Sequence, residues 1–252
     1  MDCVNLIRAF SDPSAWAVAG VFVLAGGVKG ITGMGLPTVA VSLLGLWMAP
    51  AQAAALLVLP SLATNVSQCR GPHTRRLLAR LWPAWLALAA VTVWSPGMGA
   101  SPWPVDARVL LGAVLVAYGL WGLCRPALAD LSASPTWLGA LAGALTGFVT
   151  AATAVFVMPL VPYLQSLRLD KEAMVQALGL SFTVATLALA IRLRTFAEGM
   201  LLSWPSALAL GAALAGLRLG ARVRERISGP AFQRALFTVI IGLGLANLLK
   251  GA

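Results

Sequence analysis

Long apolar stretches separated by short charged loops run the length of the chain. Residues 13–28 are uncharged, and after Lys29 so are residues 30–69; further uncharged runs cover 81–105, 109–124, 131–167, 173–191, 199–217 and 235–249. A helix perpendicular to a bilayer needs about 20 residues to cross its hydrocarbon core. The runs of 15–19 residues therefore predict short single spans, with Arg and Lys at their ends snorkelling outward. The runs 30–69 and 131–167 are too long for one element, and each carries its own breaks. Gly30, Gly33, Gly35, Pro37 and Pro50 interrupt the first; Pro159 and Pro162 interrupt the second.

A shift of about 120 residues lays one half of the pattern over the other. Trp16 with AVAGVFVLAGG resembles Trp137 with LGALAGALTG, and AQAAALLVLPSLAT (51–64) falls on KEAMVQALGLSFTV (171–184) without a gap. WPAWLALAA (82–90) matches WPSALALGA (204–212), and RVLLGAVLVAYGL (108–120) matches RALFTVIIGLGL (234–245). Four weak matches in one order predict a duplication, with repeat one at about 14–124 and repeat two at about 135–250 of a single transmembrane domain. Duplicated halves are a common transporter architecture, with the substrate site between them.

Composition turns these stretches into a membrane protein. Of 252 residues, 60% are hydrophobic and 10% charged, against ~25% charged in soluble domains. So few charges cannot cover a globular surface in water, and soluble enzyme folds are excluded. The net charge of +10 comes from arginines in short loops, which marks cytoplasmic loops and predicts no nucleic-acid partner. If 14–48 and 137–165 are hairpins that enter and leave on one side, Lys and Arg divide twelve to five between the two sides. If each crosses once, they divide nine to eight. The first arrangement, which inverts the two repeats, is preferred, with 51–67, 81–100, 109–124, 173–191, 199–217 and 235–249 as full spans. The fold class is thus all-α and polytopic, with broken or re-entrant helices near the start of each repeat.

Lys29, within AGGVKGITGMGLP (25–37), is the one charge well inside an apolar stretch. An ammonium there costs a few kcal/mol, so it should face the protein interior or a wet cavity. A chain break beside it, from Gly30 through Thr32, Gly33 and Gly35 to Pro37, frees helix N-terminal N–H groups; with the lysine these form a candidate anion site. The same glycines would equally serve close helix packing. In the second half, Thr150, Thr153 and the Pro159 break offer hydroxyls and loosened backbone, for a ligand or for their own carbonyls. Asn65, Gln176 and Ser181 are further polar groups near the breaks, each open to plain interhelical hydrogen bonding.

No Asp or Glu lies in the middle of a span, which removes the usual proton relay. His73, in CRGPHTRR, is expected to be solvated. Cys3, Cys69 and Cys124 lack a paired spacing and read as free thiols. The N-terminus, with Asp2, Arg8 and Asp12 ahead of the apolar stretch, reads as retained. No protease or ATP-binding motif is present, so a carrier or channel without metal or cofactor is expected. An anion leaving a negative interior gains ~2.3 kcal/mol per charge per 100 mV, so export needs no coupling residue. A carrier of a neutral or zwitterionic solute and a non-transporting scaffold are the competing readings.

AGGVKGITGMGLPTVAVSLLGLWMAPAQAAALLVLPSLATN (25–65) resembles the first-repeat signature of the TauE/SafE-type sulfite exporter family. VMPLVPYLQSLRLDKEAMVQALGLSFTVATLALA (157–190) is similar to its second signature. The resemblance implies a permease of the bacterial cytoplasmic membrane that moves sulfite, sulfonates or related organic anions. It marks Gly30, Gly33, Gly35, Pro37 and Pro159 as signature positions. TAATAVFVMP (150–159) departs from the fullest pattern by lacking its glycines. The expected partners are a small anion and the lipid bilayer, with a homo-oligomer left open.

Overall fold

The computed structural model of the chain describes residues 13–95, 106–124, 128–195, 203–224 and 229–251. These residues form ten helices and no strand: α1 (Pro13–Thr32), α2 (Leu36–Leu44), α3 (Pro50–Cys69), α4 (Thr74–Trp94), α5 (Ala107–Cys124), α6 (Thr136–Thr153), α7 (Leu160–Ser166), α8 (Lys171–Arg192), α9 (Trp204–Arg224) and α10 (Gly229–Gly251). Seven of them, α1, α4, α5, α6, α8, α9 and α10, contain segments long and apolar enough to cross a membrane. Their outward faces carry exposed Trp82, Leu86, Trp137, Leu141 and Leu145, which suit contact with lipid tails.

Several predicted boundaries move. The first helix of each half is a full-length span of 20 or 18 residues, and the break comes at its end. Helix α4 starts at Thr74 and takes in Arg75, Arg76 and Arg80, and α9 runs on through Arg218, Arg222 and Arg224. Charge-free runs understate helices whose end turns carry snorkelling arginines. The predicted retained N-terminus with Arg8 and Cys3, the end of the 81–100 span, and Arg125 lie outside the described residues.

Helix directions follow from which residues meet. Lys29 touches Thr64 and Gly33 touches Gln68, both 35 positions apart, so α1 and α3 run the same way. The chain must therefore return through α2. Helices α3 and α8 are antiparallel, since Ser61 meets Thr186 while Cys69 meets Thr183. Helix α4 runs with α8, as Trp85 bonds Ser181 and Arg192 caps the far end at Thr92 and Ser95. It also runs with α6, through Ala84 against Gly143 and Leu88 against Gly147. The closest packing pairs α1 with α9, α4 with α6, α3 with α8 and α5 with α10. Exchanging the two halves maps this set of pairs onto itself.

Small residues make the tightest of these contacts. A Cβ at Gly26 would lie 2.2 Å from the Ala213 carbonyl oxygen, and one at Gly30 would lie 2.4 Å from that of Leu217. A Cβ at Gly112 would reach 2.6 Å from the Gly244 carbonyl oxygen. Close backbone approach of this kind is how helices associate where the hydrophobic effect is absent.

One end of the bundle is basic. Among the described residues, Arg70, Arg75, Arg76, Arg80, Arg168, Lys171, Arg218, Arg222, Arg224 and Arg234 gather at the end where α1 and α3 finish. Arg108, Arg192, Arg194 and Lys250 lie at the other end.

Candidate functional site

Each half breaks its chain with the same local device. Thr32 ends α1; its hydroxyl donates to the Val28 carbonyl at 2.9 Å and accepts the Met34 N–H at 3.2 Å. Thr153, 121 positions on, ends α6; it donates to the Val149 carbonyl at 2.7 Å and accepts the Val155 N–H at 3.2 Å. The next residue is left-handed in both, Gly33 at φ 82° and Ala154 at φ 58°. The chain then enters a short helix. Pro37 sits in the first turn of α2, where a missing N–H costs nothing, and Pro159 stands immediately before α7.

The glycines near Lys29 divide by role. Gly30 lies inside α1 against α9, so it serves packing and adds no free N–H. Gly33 and Gly35, at φ 82° and 99°, make the turn itself. A Cβ at Gly33 would meet only the Gln68 Nε2, at 3.8 Å, so this position needs glycine for conformation and not for space.

Lys29 is 3% exposed and faces inward. Its ammonium donates to the Thr64 hydroxyl at 3.0 Å and to the Asn65 amide oxygen. No carboxylate contacts it among the described residues. Only neutral oxygens are therefore in place to meet an ammonium at this position. The Asn65 Nδ2 and the Thr38 hydroxyl, in the first turn of α2, are buried with no hydrogen-bond partner. Both can donate, Thr38 from the short α2 and Asn65 from the last turns of α3. Thr38 and Thr64 are absent from the sequence-based set; an i+3 position beyond a Gly-x-Gly break, and the neighbour of a polar Asn on a buried helix, would have pointed to them.

The remaining predicted residues are placed elsewhere. Thr150, the counterpart of Lys29 at the 121-residue shift, donates to the carbonyl of Thr146 at 2.7 Å. It and Thr153 lie at the opposite end of the bundle from the α1 break. Gln176 ties down the α3–α4 loop: its Nε2 donates to the Cys69 and Gly71 carbonyls and the Thr74 hydroxyl, and its Oε1 accepts from the His73 N–H. Ser181 accepts from the Trp85 indole at 2.8 Å. His73 is half-buried, with its Nε2 4.0 Å from the Asp170 carboxylate. Asp170 caps α8 through the Ala173 N–H at 2.8 Å, and that hydrogen bond holds its carboxyl below the usual range.

A cavity of about 290 Å³ opens beside the first break, at the basic end. Thr32, Met34 and Gly35 form one wall, α5 and α10 another, and Val161 and Gln165 of α7 close it. Lys29, one turn earlier in α1 and turned to Thr64 and Asn65, is not part of the wall. At the second break Ala154, Val155, Phe156 and Val157 are all fully buried, and Phe156 packs on Phe182 with ring centroids 5.2 Å apart. No group of His, Cys, Asp and Glu suited to a metal occurs among the described residues.

The chain matches the family described as Sulfite exporter TauE/SafE over residues 18–247 and belongs to it. No curated protein and no solved structure matches it. The two signature stretches read from the sequence are thus part of a match over nearly the whole chain. Family and helices together make this a multi-pass membrane protein of a transporter family, consistent with the bacterial inner membrane.

Proposed function

We propose that this TauE/SafE-family protein exports a small anion, of the sulfite, sulfonate or related organic class, with Lys29 supplying the positive charge. The observation that carries this reading is the buried ammonium of Lys29, held among the described residues by Thr64 and Asn65. The anion takes the place of those neutral acceptors, with the free Asn65 Nδ2 and Thr38 hydroxyl as further donors. The N-terminus of α2, just past Gly35, adds the favourable end of a helix dipole. Thr150, Thr153 and the stretch up to Pro159 act as the closure at the far end, opening when the carrier turns.

We infer that the halves are inverted repeats and that access alternates by one rocking against the other. The pairing of helices, which survives exchange of the halves, supports this, as do two antiparallel pairs of equivalent helices, α3–α8 and α5–α10, the latter with Gly112 against Gly244 and Gly122 against Phe237. The end carrying ten of the fourteen described loop and end-turn cations is then cytoplasmic. The cavity at the first break faces that side and admits the anion from within.

The test is flux of radiolabelled sulfite and methanesulfonate from proteoliposomes with the membrane potential set by a potassium gradient. Efflux should speed up with a negative interior and persist without a proton gradient. A strict need for a proton gradient at zero potential would contradict uncoupled export. Electroneutral flux of a zwitterion, unchanged in Lys29→Met, would establish the neutral-solute reading instead.

A further inference from the structure

We propose that a further cavity, at the basic end of the bundle, binds the phosphate of an anionic phospholipid. This cavity, of about 340 Å³, lies where three parts of the chain meet. Arg76, Ala79 and Arg80 of α4 form one wall, Ser132 of the linker between the halves another, and Leu167 and Leu169, between α7 and α8, the third. Its volume falls within the ~300–1,000 Å³ of ordinary ligand sites. It involves neither Lys29 nor the first break, and so stands apart from the export reading.

Among the described residues, no carboxylate pairs with either arginine; the ion pair at this end joins His73 to Asp170. Arg80 is held in place by neutral acceptors. Its Nη1 donates to the Ser134 carbonyl at 2.6 Å, and its Nη2 to the Leu131 carbonyl at 3.0 Å and the Ser134 hydroxyl at 2.9 Å. Arg76 is exposed at the mouth, and so is Ser132. Two acids lie nearby, and each has its own partners. Asp170 accepts the Ala173 N–H, while Asp130 accepts the Ser132 N–H at 2.9 Å and lies near Arg168. Neither lines the cavity. Two guanidiniums, one of them fixed by backbone oxygens, suit the oxygens of a phosphate, which accepts from their planar forks.

The surroundings favour a lipid over a free ion. Ala79, in the wall, shares a helix face with Trp82 and Leu86, three and seven positions on, which are 56% and 61% exposed. Helix α6 runs alongside from the same end, with Gly143 against Ala84, and presents Trp137, Leu141 and Leu145 outward. A phosphate between Arg76 and Arg80 would therefore have its acyl chains lying along two apolar helix faces, with tryptophans near the headgroup level they favour. A free phosphate gains nothing from those faces. Basic pockets between membrane helices are a known form of headgroup site. The headgroup would also bridge the halves, since the linker that Arg80 holds is tied to the end of α7 by the Leu131 N–H on the Ser166 carbonyl at 2.9 Å.

The experiment is native mass spectrometry of the whole protein, titrated with dioleoylphosphatidylglycerol, with dioleoylphosphatidylcholine, and with inorganic phosphate as a competitor. Wild type, Arg76→Gln, Ser132→Asp and Arg224→Gln are compared. Arg76 and Ser132 are exposed, so neither change threatens folding, and Arg80 is left intact because it holds the linker. Arg224 lies at the same end but outside the cavity. Wild type should bind phosphatidylglycerol about tenfold more tightly than phosphatidylcholine. Arg76→Gln and Ser132→Asp should each bring that ratio down to about threefold or less, while Arg224→Gln keeps it. Equal affinities for the two lipids in wild type, or a ratio unchanged in both cavity variants, would overturn the proposal. A loss in Arg224→Gln as large as in Arg76→Gln would show a diffuse basic surface and overturn it too. Displacement of phosphatidylglycerol by inorganic phosphate at matched concentration would make free phosphate the ligand and remove the lipid assignment.

Discussion

The two chain breaks use one backbone device and fill it differently. At both, a threonine closes its helix onto the carbonyl four residues back, a left-handed residue follows, and a short helix begins. At the first, the left-handed residue is Gly33, a lysine stands one turn before the helix end, and a cavity opens alongside. At the second, that residue is Ala154, the lysine's counterpart is Thr150, and Val155, Phe156 and Val157 pack the space shut. The two breaks thus share a backbone geometry, while the buried lysine stands beside one of them. Backbone pattern and side-chain chemistry have separated: among the described residues, the buried lysine stands at the first break alone.

Substitutions at matched positions make that contrast measurable. Lys29→Met should lower anion flux about a hundredfold, because the buried charge at the first break is gone, with membrane insertion unchanged by protease-protection assay. Thr150→Val, at the matching place, removes a hydroxyl that bonds only its own helix and should change flux by less than about threefold. Phe156→Ala should loosen the sealed break and raise passive leak of sulfite about tenfold, read as efflux from vesicles in the absence of a potential. Gly33→Ala should cost about 1–2 kcal/mol of stability, because a Cβ is forced into a left-handed conformation. It meets no clash, so its effect on unfolding midpoint should exceed any effect on insertion. Ala154→Gly relieves the same strain in the second half and should be neutral or stabilising by less than about 1 kcal/mol.

The breaks themselves were legible in the sequence, from Gly33, Gly35 and Pro37 on one side and Pro159 on the other, because turn chemistry is local. Lys29 was legible too, as the only cation deep in an apolar stretch. What could not be read was the sorting of the glycines. Gly26 and Gly30 pack on Ala213 and Leu217, nearly 190 positions away, and nothing near them in the chain announces that partner. Gln176 and Ser181 were chosen for polarity near a break, yet both serve long-range contacts, to the α3–α4 loop and to Trp85. Thr38 was passed over because its significance is a missing partner, which appears only after the neighbours are placed. Helix ends were displaced because Arg75, Arg76 and Arg80 are helical residues, the first two exposed and the third with its guanidinium on the Leu131 and Ser134 carbonyls, and a charge count treats them as loop.

The central claim is that the charge at the first break binds the transported anion, and charge movement on a solid-supported membrane tests it directly. Proteoliposomes of wild type, Lys29→Met and Thr150→Val would be exposed in turn to sulfite, methanesulfonate, benzenesulfonate and a neutral amino acid. The account predicts a current with at least one sulfur oxyanion in wild type and in Thr150→Val, and none in Lys29→Met. An undiminished current in Lys29→Met would contradict it and move the binding site away from the first break.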